Sequence, residues 1–134
     1  MTQRGSIAVL MDTSALLAPF QLGIDFERWI GILVDAKVEF YVLSKTLEEL
    51  RALSTCSGKL ASHASKALAL AGRYGVLPSP DICKGDECLI KAAKERGCAV
   101  ATCDRSLRKR LRDLNIPVFS PTGRGKIRVD GLLP

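Results

Sequence analysis

Two apolar patterns alternate along the 134-residue chain. Ser6–Met11 (SIAVLM), Glu39–Leu43 (EFYVL), residues 98–102 (CAVAT) and Pro117–Ser120 are short runs of apolar, aromatic or branched residues. Such runs mark strands buried on both faces of a parallel sheet. Between them the apolar positions recur with helical spacing. Phe26, Trp29, Ile30, Leu33 and Val34 form one stripe over residues 25–36. Leu47, Leu50 and Leu53 form a second, after a cap expected at Ser44 or Thr46. Leu60, Ala64, Ala67, Leu68 and Ala71 form a third. Leu89, Ile90 and Ala93 follow on a helix that opens at Asp86 and stops at Gly97. Leu107, Leu111 and Leu114 belong to a basic helix over residues 105–114. Residues 15–20 start a helix that Pro19 is expected to interrupt. Val76-Leu77 reads as a short third strand, and residues 126–129 as an edge strand or a basic tail.

Strand and helix in alternation predict an α/β fold. The expected form is a three-layer α/β/α sandwich around a mainly parallel sheet of about five strands. Length predicts one domain over residues 1–134, with a basic C-terminal segment from about residue 121. No apolar run is long enough to span a bilayer. Ile7–Met11 is too short for the apolar part of a signal peptide, so a cytoplasmic protein with no membrane partner is expected.

Charge changes the picture at one end. The chain carries a formal net charge of +6. Between Arg105 and Arg128, the cations Arg105, Arg108, Lys109, Arg110, Arg112, Arg124, Lys126 and Arg128 face only Asp113. This end is a candidate surface for a polyanion, although a solvated helix face would look the same. The expected RNA-facing stripe is Arg105, Arg108, Lys109 and Arg112.

The cysteines change it less. Cys56, Cys83, Cys88, Cys98 and Cys103 read as buried thiols of a cytosolic chain. Cys98 and Cys103 flank a strand and lie about 17 Å apart if the chain between them is extended, too far for one zinc site. A disulfide is not expected outside a hyperthermophile.

The candidate chemistry lies in carboxylates. Asp12 follows the first strand, Glu49 sits on the helix after the second, and Asp86 opens the helix before the fourth. Asp104 follows the fourth strand. In α/β sheets, ligands bind beyond the carboxyl ends of the strands. If strands one and four are neighbours, Asp12 and Asp104 share a crevice that Glu49 and Asp86 reach from helix N-termini. The alternative is structural. Asp12, Asp86 and Asp104 can each be an N-cap, and Thr46-x-x-Glu49 matches a capping box. Caps have no reason to converge, however, and close carboxylates repel by about 4 kcal/mol per pair at an effective dielectric of 20. Convergence would imply a hard divalent cation, Mg²⁺ or Mn²⁺. His63 is the only histidine, so a serine or cysteine nucleophile lacks a base. Gly-rich phosphate loops are absent. Metal-assisted displacement at phosphorus, with an activated water as nucleophile, remains.

Asp12-Thr13-Ser14 after a buried strand, Glu48-Glu49-Leu50, Gly85-Asp86-Glu87 and Val100-Ala101-Thr102-Cys103-Asp104-Arg105 resemble the four acidic motifs of PIN-domain nucleases. The resemblance extends from Ile7 to about Phe119. The segment ATCDRSLRKRLR looks most like archaeal relatives of the small-subunit processome endonuclease, which cuts pre-ribosomal RNA. It looks less like the VapC toxin branch, where an antitoxin-like partner would be expected. The resemblance implies a Mg²⁺- or Mn²⁺-dependent endoribonuclease with Asp12, Glu49, Asp86 and Asp104 as catalytic, metal-holding carboxylates. Ser14 and Thr102 would orient them. Glu87 would add a ligand or face solvent, and Glu48 is the alternative to Glu49. The implied partner is RNA, and a homodimer is left open. A non-catalytic RNA-binding module is the rival class.

Overall fold

The apolar run at the start of the chain forms β1 (Ser6–Met11), whose residues are buried alternately on both faces of the sheet. The computed structural model describes residues 5–80, 83–131 and 133. In chain order there follow α1 (Thr13–Gln21), α2 (Phe26–Leu33), β2 (Lys37–Leu43), α3 (Ser44–Ser54), α4 (Lys59–Ala71) and β3 (Gly75–Leu77). Then come α5 (Asp86–Arg96), β4 (Ala99–Ala101), α6 (Arg105–Asp113), β5 (Val118–Pro121) and β6 (Ile127–Asp130).

The strands make one sheet in the order β3-β2-β1-β4-β5-β6. The first five are parallel, with Leu10 opposite Val100 and Met11 opposite Ala101. β6 closes one edge antiparallel to β5. Residues 126–129 therefore resolve into a sixth strand. Because β1 leads outward to β2 and β3 while β4 starts on its other side, strand order reverses between β1 and β4. A crevice opens at such a point.

Two apolar layers cover the sheet. Val9 and Met11, with Ala99, Ala101 and Phe119, face α1, α2, α4 and Leu50 of α3. Leu10, Val100 and Val118 face α5 and α6 through Ile90, Ala93, Leu107 and Leu111. This is the three-layer α/β/α arrangement expected from the pattern. Among the described residues, no helix is long and apolar enough to cross a membrane.

Five details differ from expectation. Pro19 lies inside α1 without ending it. Its missing donor affects one late bond, and the last turn is closed by Leu22 N–H and Ile24 N–H on the Ala18 carbonyl (2.8 and 3.3 Å). Leu33 and Leu114, at helix ends, are exposed rather than inward. Leu60 is exposed too, because Ala61, Ala64, Ala67 and Ala71 make the buried stripe of α4. No capping box forms at Thr46. Thr46 is buried inside α3, and the helix starts at Ser44 without a side-chain cap from Leu43. Instead the Lys45 N–H donates to Ser79 Oγ (2.9 Å), from the segment after β3. Finally, Cys83 and Cys88 are joined in a disulfide. The turn into α5 returns the chain on itself, which spacing alone did not reveal. Cys56, Cys98 and Cys103 are free thiols; Cys98 is buried and Cys103 partly so, whereas Cys56 is exposed past the end of α3 rather than buried.

Candidate active site

The site is built outward from the ends of β1 and β4. Asp12 N–H donates to the Ala101 carbonyl (3.1 Å), extending the β1–β4 ladder by one bond. The chain then turns into α1, with Asp12 as N-cap. Asp12 Oδ1 accepts from the Ala15 N–H (2.8 Å) and from Ser14 Oγ (2.7 Å). Asp12 Oδ2 accepts from the Thr102 hydroxyl. The same two hydroxyls bind the neighbouring strand end. Ser14 Oγ accepts from the Cys103 N–H (2.9 Å), and Thr102 Oγ1 from the Asp104 N–H (3.0 Å). Thr102 is fully buried. Asp104 is the N-cap of α6, where its Oδ1 accepts from the N–H groups of Ser106 (2.8 Å) and Leu107 (3.2 Å).

The cap reading of Asp12 and Asp104 is therefore correct, and it is compatible with a site. Both residues line one cleft of about 620 Å³ together with Glu49, Asp86, Glu48 and Lys45. Five carboxylates, from the starts of α1, α5 and α6 and from α3, share this cleft. Glu49 is not part of a capping box, and Asp86 is the first helical residue of α5, not its cap. Both are exposed on the cleft rim. Glu48 lines the cleft beside Glu49, so proximity does not choose between them.

Burial pushes the Asp12 carboxyl up to about 6, against the lowering effect of its Thr102, Ser14 and Ala15 bonds. The nearby Asp86 charge adds to the rise. Burial also raises the Cys103 thiol to about 11, with Asp12 contributing, so Cys103 is a neutral thiol beside the site.

Glu87 does not line the cleft. It pairs with Arg110 across to α6, and both side chains are exposed. The basic stripe is also divided. Arg105, Lys109 and Arg112 are exposed, whereas Arg108 Nε donates to Asp130 Oδ2 of β6 (2.8 Å). That pair is about four-fifths covered, with side chains 19% and 22% exposed. The Arg108 bond holds the Asp130 carboxyl below its ordinary value.

Lys45 escaped the sequence reading. It is the one cation lining the cleft among the described residues. Its ammonium donates to the Cys83 carbonyl (2.7 Å). The available signal was its place four residues before Glu49, which puts both on one side of α3.

A divalent metal belongs with such a donor set. Carboxylates and hydroxyls are hard oxygen donors suited to Mg²⁺ or Mn²⁺, and among the described residues the only sulfur on the cleft is tied in a disulfide. Among the described residues, no three ligating side chains are drawn together closely enough to hold a metal as they stand. The residues fit the ion chemically.

Comparison with known proteins agrees with this geometry. The model of the PIN like domain family matches residues 9–124. The PIN domain endonuclease Utp24 is 26% identical, over 94% of this chain and 92% of that one, with a TM-score of 0.73. A domain of a functionally unknown protein from Methanocaldococcus jannaschii is 13% identical, over 87% and 92%, with a TM-score of 0.66. PAE2754 from Pyrobaculum aerophilum is 20% identical, over 79% and 87%, with a TM-score of 0.53. No curated protein matches the chain. All three structures share the fold, and the first is that of a named endonuclease. The chain belongs to the PIN-like domain family and has the fold of the PIN nucleases.

Proposed function

We propose that this protein is a Mg²⁺- or Mn²⁺-dependent endoribonuclease that hydrolyses RNA phosphodiester bonds, with ribosomal precursor RNA as its substrate. The observation that carries this reading is the single cleft shared by Asp12, Glu49, Asp86 and Asp104. Capping explains two of these carboxylates and not the other two, whose repulsion serves no structural purpose.

Asp12, Glu49, Asp86 and Asp104 would hold the cation. When bound, it neutralises charge on the phosphodiester and makes water a nucleophile at neutral pH. The remaining work falls to the chain. Ser14 and Thr102 fix both oxygens of Asp12, so its carboxylate needs little reorganisation to meet a ligand. The same hydroxyls hold the backbone that leads into Asp104. Arg105, Lys109 and Arg112 on α6 hold the phosphate backbone beside the cleft and contribute affinity without reading sequence. Precursor ribosomal RNA is favoured by the likeness of ATCDRSLRKRLR to the processing branch, and endonucleolytic cutting by the match to the PIN domain endonuclease Utp24.

The test is cleavage of end-labelled and circular RNA in Mn²⁺, Mg²⁺ and EDTA. Cutting of the circle in metal alone is expected, with no cutting by Asp12→Asn. RNA binding without metal-dependent cutting would leave a binding module instead. Cross-linking the Asp12→Asn protein to RNA in cells should enrich ribosomal precursor sites, and an even spread over messenger RNA would remove that substrate.

A further inference from the structure

Asp86 enters the cleft from a segment that is fastened to α3. α5 has no side-chain N-cap, and Gly85 before it has φ 54°. The Glu87 and Cys88 N–H groups donate to the Lys84 and Gly85 carbonyls (3.1 and 3.2 Å) and Glu87 pairs with Arg110, but the Asp86 side chain itself makes no hydrogen bond or ion pair among the described residues. The fastening comes from Lys45, which is bonded twice. Its backbone N–H donates to Ser79 Oγ (2.9 Å), and its ammonium donates to the Cys83 carbonyl (2.7 Å) while lying 3.7 Å from Cys88 Sγ. Ser79 adds a second tie, with its N–H donating to Ser44 Oγ (3.1 Å). Cys83 and Cys88 are bridged, and Gly85 and Asp86 lie inside the small loop that the bridge closes. Cys88 is buried in the core under α5 and Cys83 is half-buried, so the bridge ties the approach to α5 onto its anchored first turn. Glu49 stands one helical turn after Lys45. The helix that carries one rim carboxylate thus holds the segment that carries the other.

We propose that Lys45 and the Cys83–Cys88 bridge form a redox-sensitive clamp that sets the separation of Glu49 and Asp86 across the cleft. Lys45 is a positioning residue in this clamp. The inference rests on the metal site proposed above. A dithiol reductant supplies two electrons and two protons. The S–S bond breaks, Cys83 and Cys88 become thiols, and the reductant closes to its own disulfide. Cys88 stays anchored by its packing, while Cys83 and the Lys45 acceptor it carries are released. Asp86 then gains freedom and the cation site weakens.

The experiment compares the oxidised protein with protein treated with a phosphine reductant, counting free thiols to confirm that two have appeared. Free Mn²⁺ is followed by electron paramagnetic resonance without RNA, and amide exchange without metal. Reduction should weaken Mn²⁺ binding on the order of tenfold, as loss of an orienting partner does. It should also speed exchange in the first turn of α5. The Cys83→Ser/Cys88→Ser double variant should match reduced protein and ignore the reductant. Lys45→Met should weaken Mn²⁺ binding in oxidised protein, and Lys45→Arg should restore most of it. Equal Mn²⁺ affinity in oxidised and reduced protein overturns the clamp and leaves the metal site standing. So does a Lys45→Met variant that binds Mn²⁺ normally but has a higher KM for RNA, which would make Lys45 a phosphate contact. Cysteines that stay reduced under a disulfide oxidant overturn it too. Absence of Mn²⁺ binding in oxidised protein would remove the site and the clamp together.

Discussion

The strand-end half of the cleft and its helix-borne half are built on different principles. Asp12 and Asp104 cap α1 and α6, and Ser14 and Thr102 bind both strand ends into one network. Glu49 and Asp86 line the same cleft from α3 and α5, and neither side chain makes a hydrogen bond or ion pair among the described residues. The first pair is held whether or not a cation is present. The second is restrained only through the elements that carry it. A centre made this way has a hydrogen-bonded half and an unbonded one. That agrees with carboxylates that share a cleft without yet forming a ligand cluster.

The sharpest way to break this comparison is Asp12→Asn. Cleavage should fall roughly 100-fold or more, the scale on which lost positioning at a reacting centre is felt. In EDTA the variant should melt no lower than the parent, since Asn also caps α1 and carries no buried charge. A variant that cuts RNA at the parental rate would show that Asp12 is only a cap.

The pH dependence of stability comes next. A carboxyl raised to about 6 in the folded state binds its proton more tightly there than in the unfolded chain. Its stabilising contribution is complete below about pH 4 and is lost as pH rises through about 6, amounting to about 3 kcal/mol at most. Metal-free parent protein should therefore lose stability relative to Asp12→Asn across that window, as read by urea melts. Parallel profiles would mean that burial does not burden Asp12. Below about pH 6 the proton should also compete with Mn²⁺ for this carboxylate.

Thr102→Val tests the preformed half alone. It keeps the shape but removes a donor from Asp12 and an acceptor from Asp104. A loss of about 1–3 kcal/mol in urea unfolding is expected, together with roughly 10- to 100-fold weaker Mn²⁺ binding. Stability loss without any change in Mn²⁺ binding would confine Thr102 to the fold.

On the basic face, Arg105→Glu with Lys109→Glu should lower the slope of log K for RNA against log salt by about 1.4, two contacts at about 0.7 each for single strands. Arg108→Ala should change that slope less, since Arg108 is engaged by Asp130, and should cost about 1 kcal/mol of stability instead. Equal slopes for the two variants would put all these cations on one RNA-facing stripe.

The smallest effect is expected from Glu49→Gln and Asp86→Asn, within about 0.5 kcal/mol of the parent in EDTA. Each should nevertheless reduce the Mn²⁺-induced rise in melting temperature. A large stability loss in EDTA would reveal a structural role for the rim and end the contrast between the two halves.

Much of the fold is legible because burial leaves a local mark. SIAVLM has the form of a strand covered on both faces, and β1 spans the same residues. The stop at Gly97 is equally local, since the helix ends there in the left-handed conformation that glycine takes readily. Asp12 and Asp104 were legible as candidates because each follows a buried strand directly. What was misread lies where a second element decides. Thr46 and Glu49 satisfy a capping-box pattern, but the free amide at that helix start is taken by Ser79, which lies 34 residues after Lys45. Leu60 fits a helical stripe that the small alanines of α4 make unnecessary.

The sequence by itself determined the alternation of strands and helices, the placing of Asp12 and Asp104 at strand ends, and the basic character of α6. These depend on side-chain periodicity and on residues within a few positions of each other. Only the tertiary structure decided that β1 and β4 are neighbours, that Glu49 and Asp86 line the same cleft, and that Glu87 and Arg108 are engaged in ion pairs. It alone joined Cys83 to Cys88 and brought Lys45 to them. These are contacts between side chains whose partners are chosen by the packing of whole elements on the sheet, and no local pattern encodes that choice.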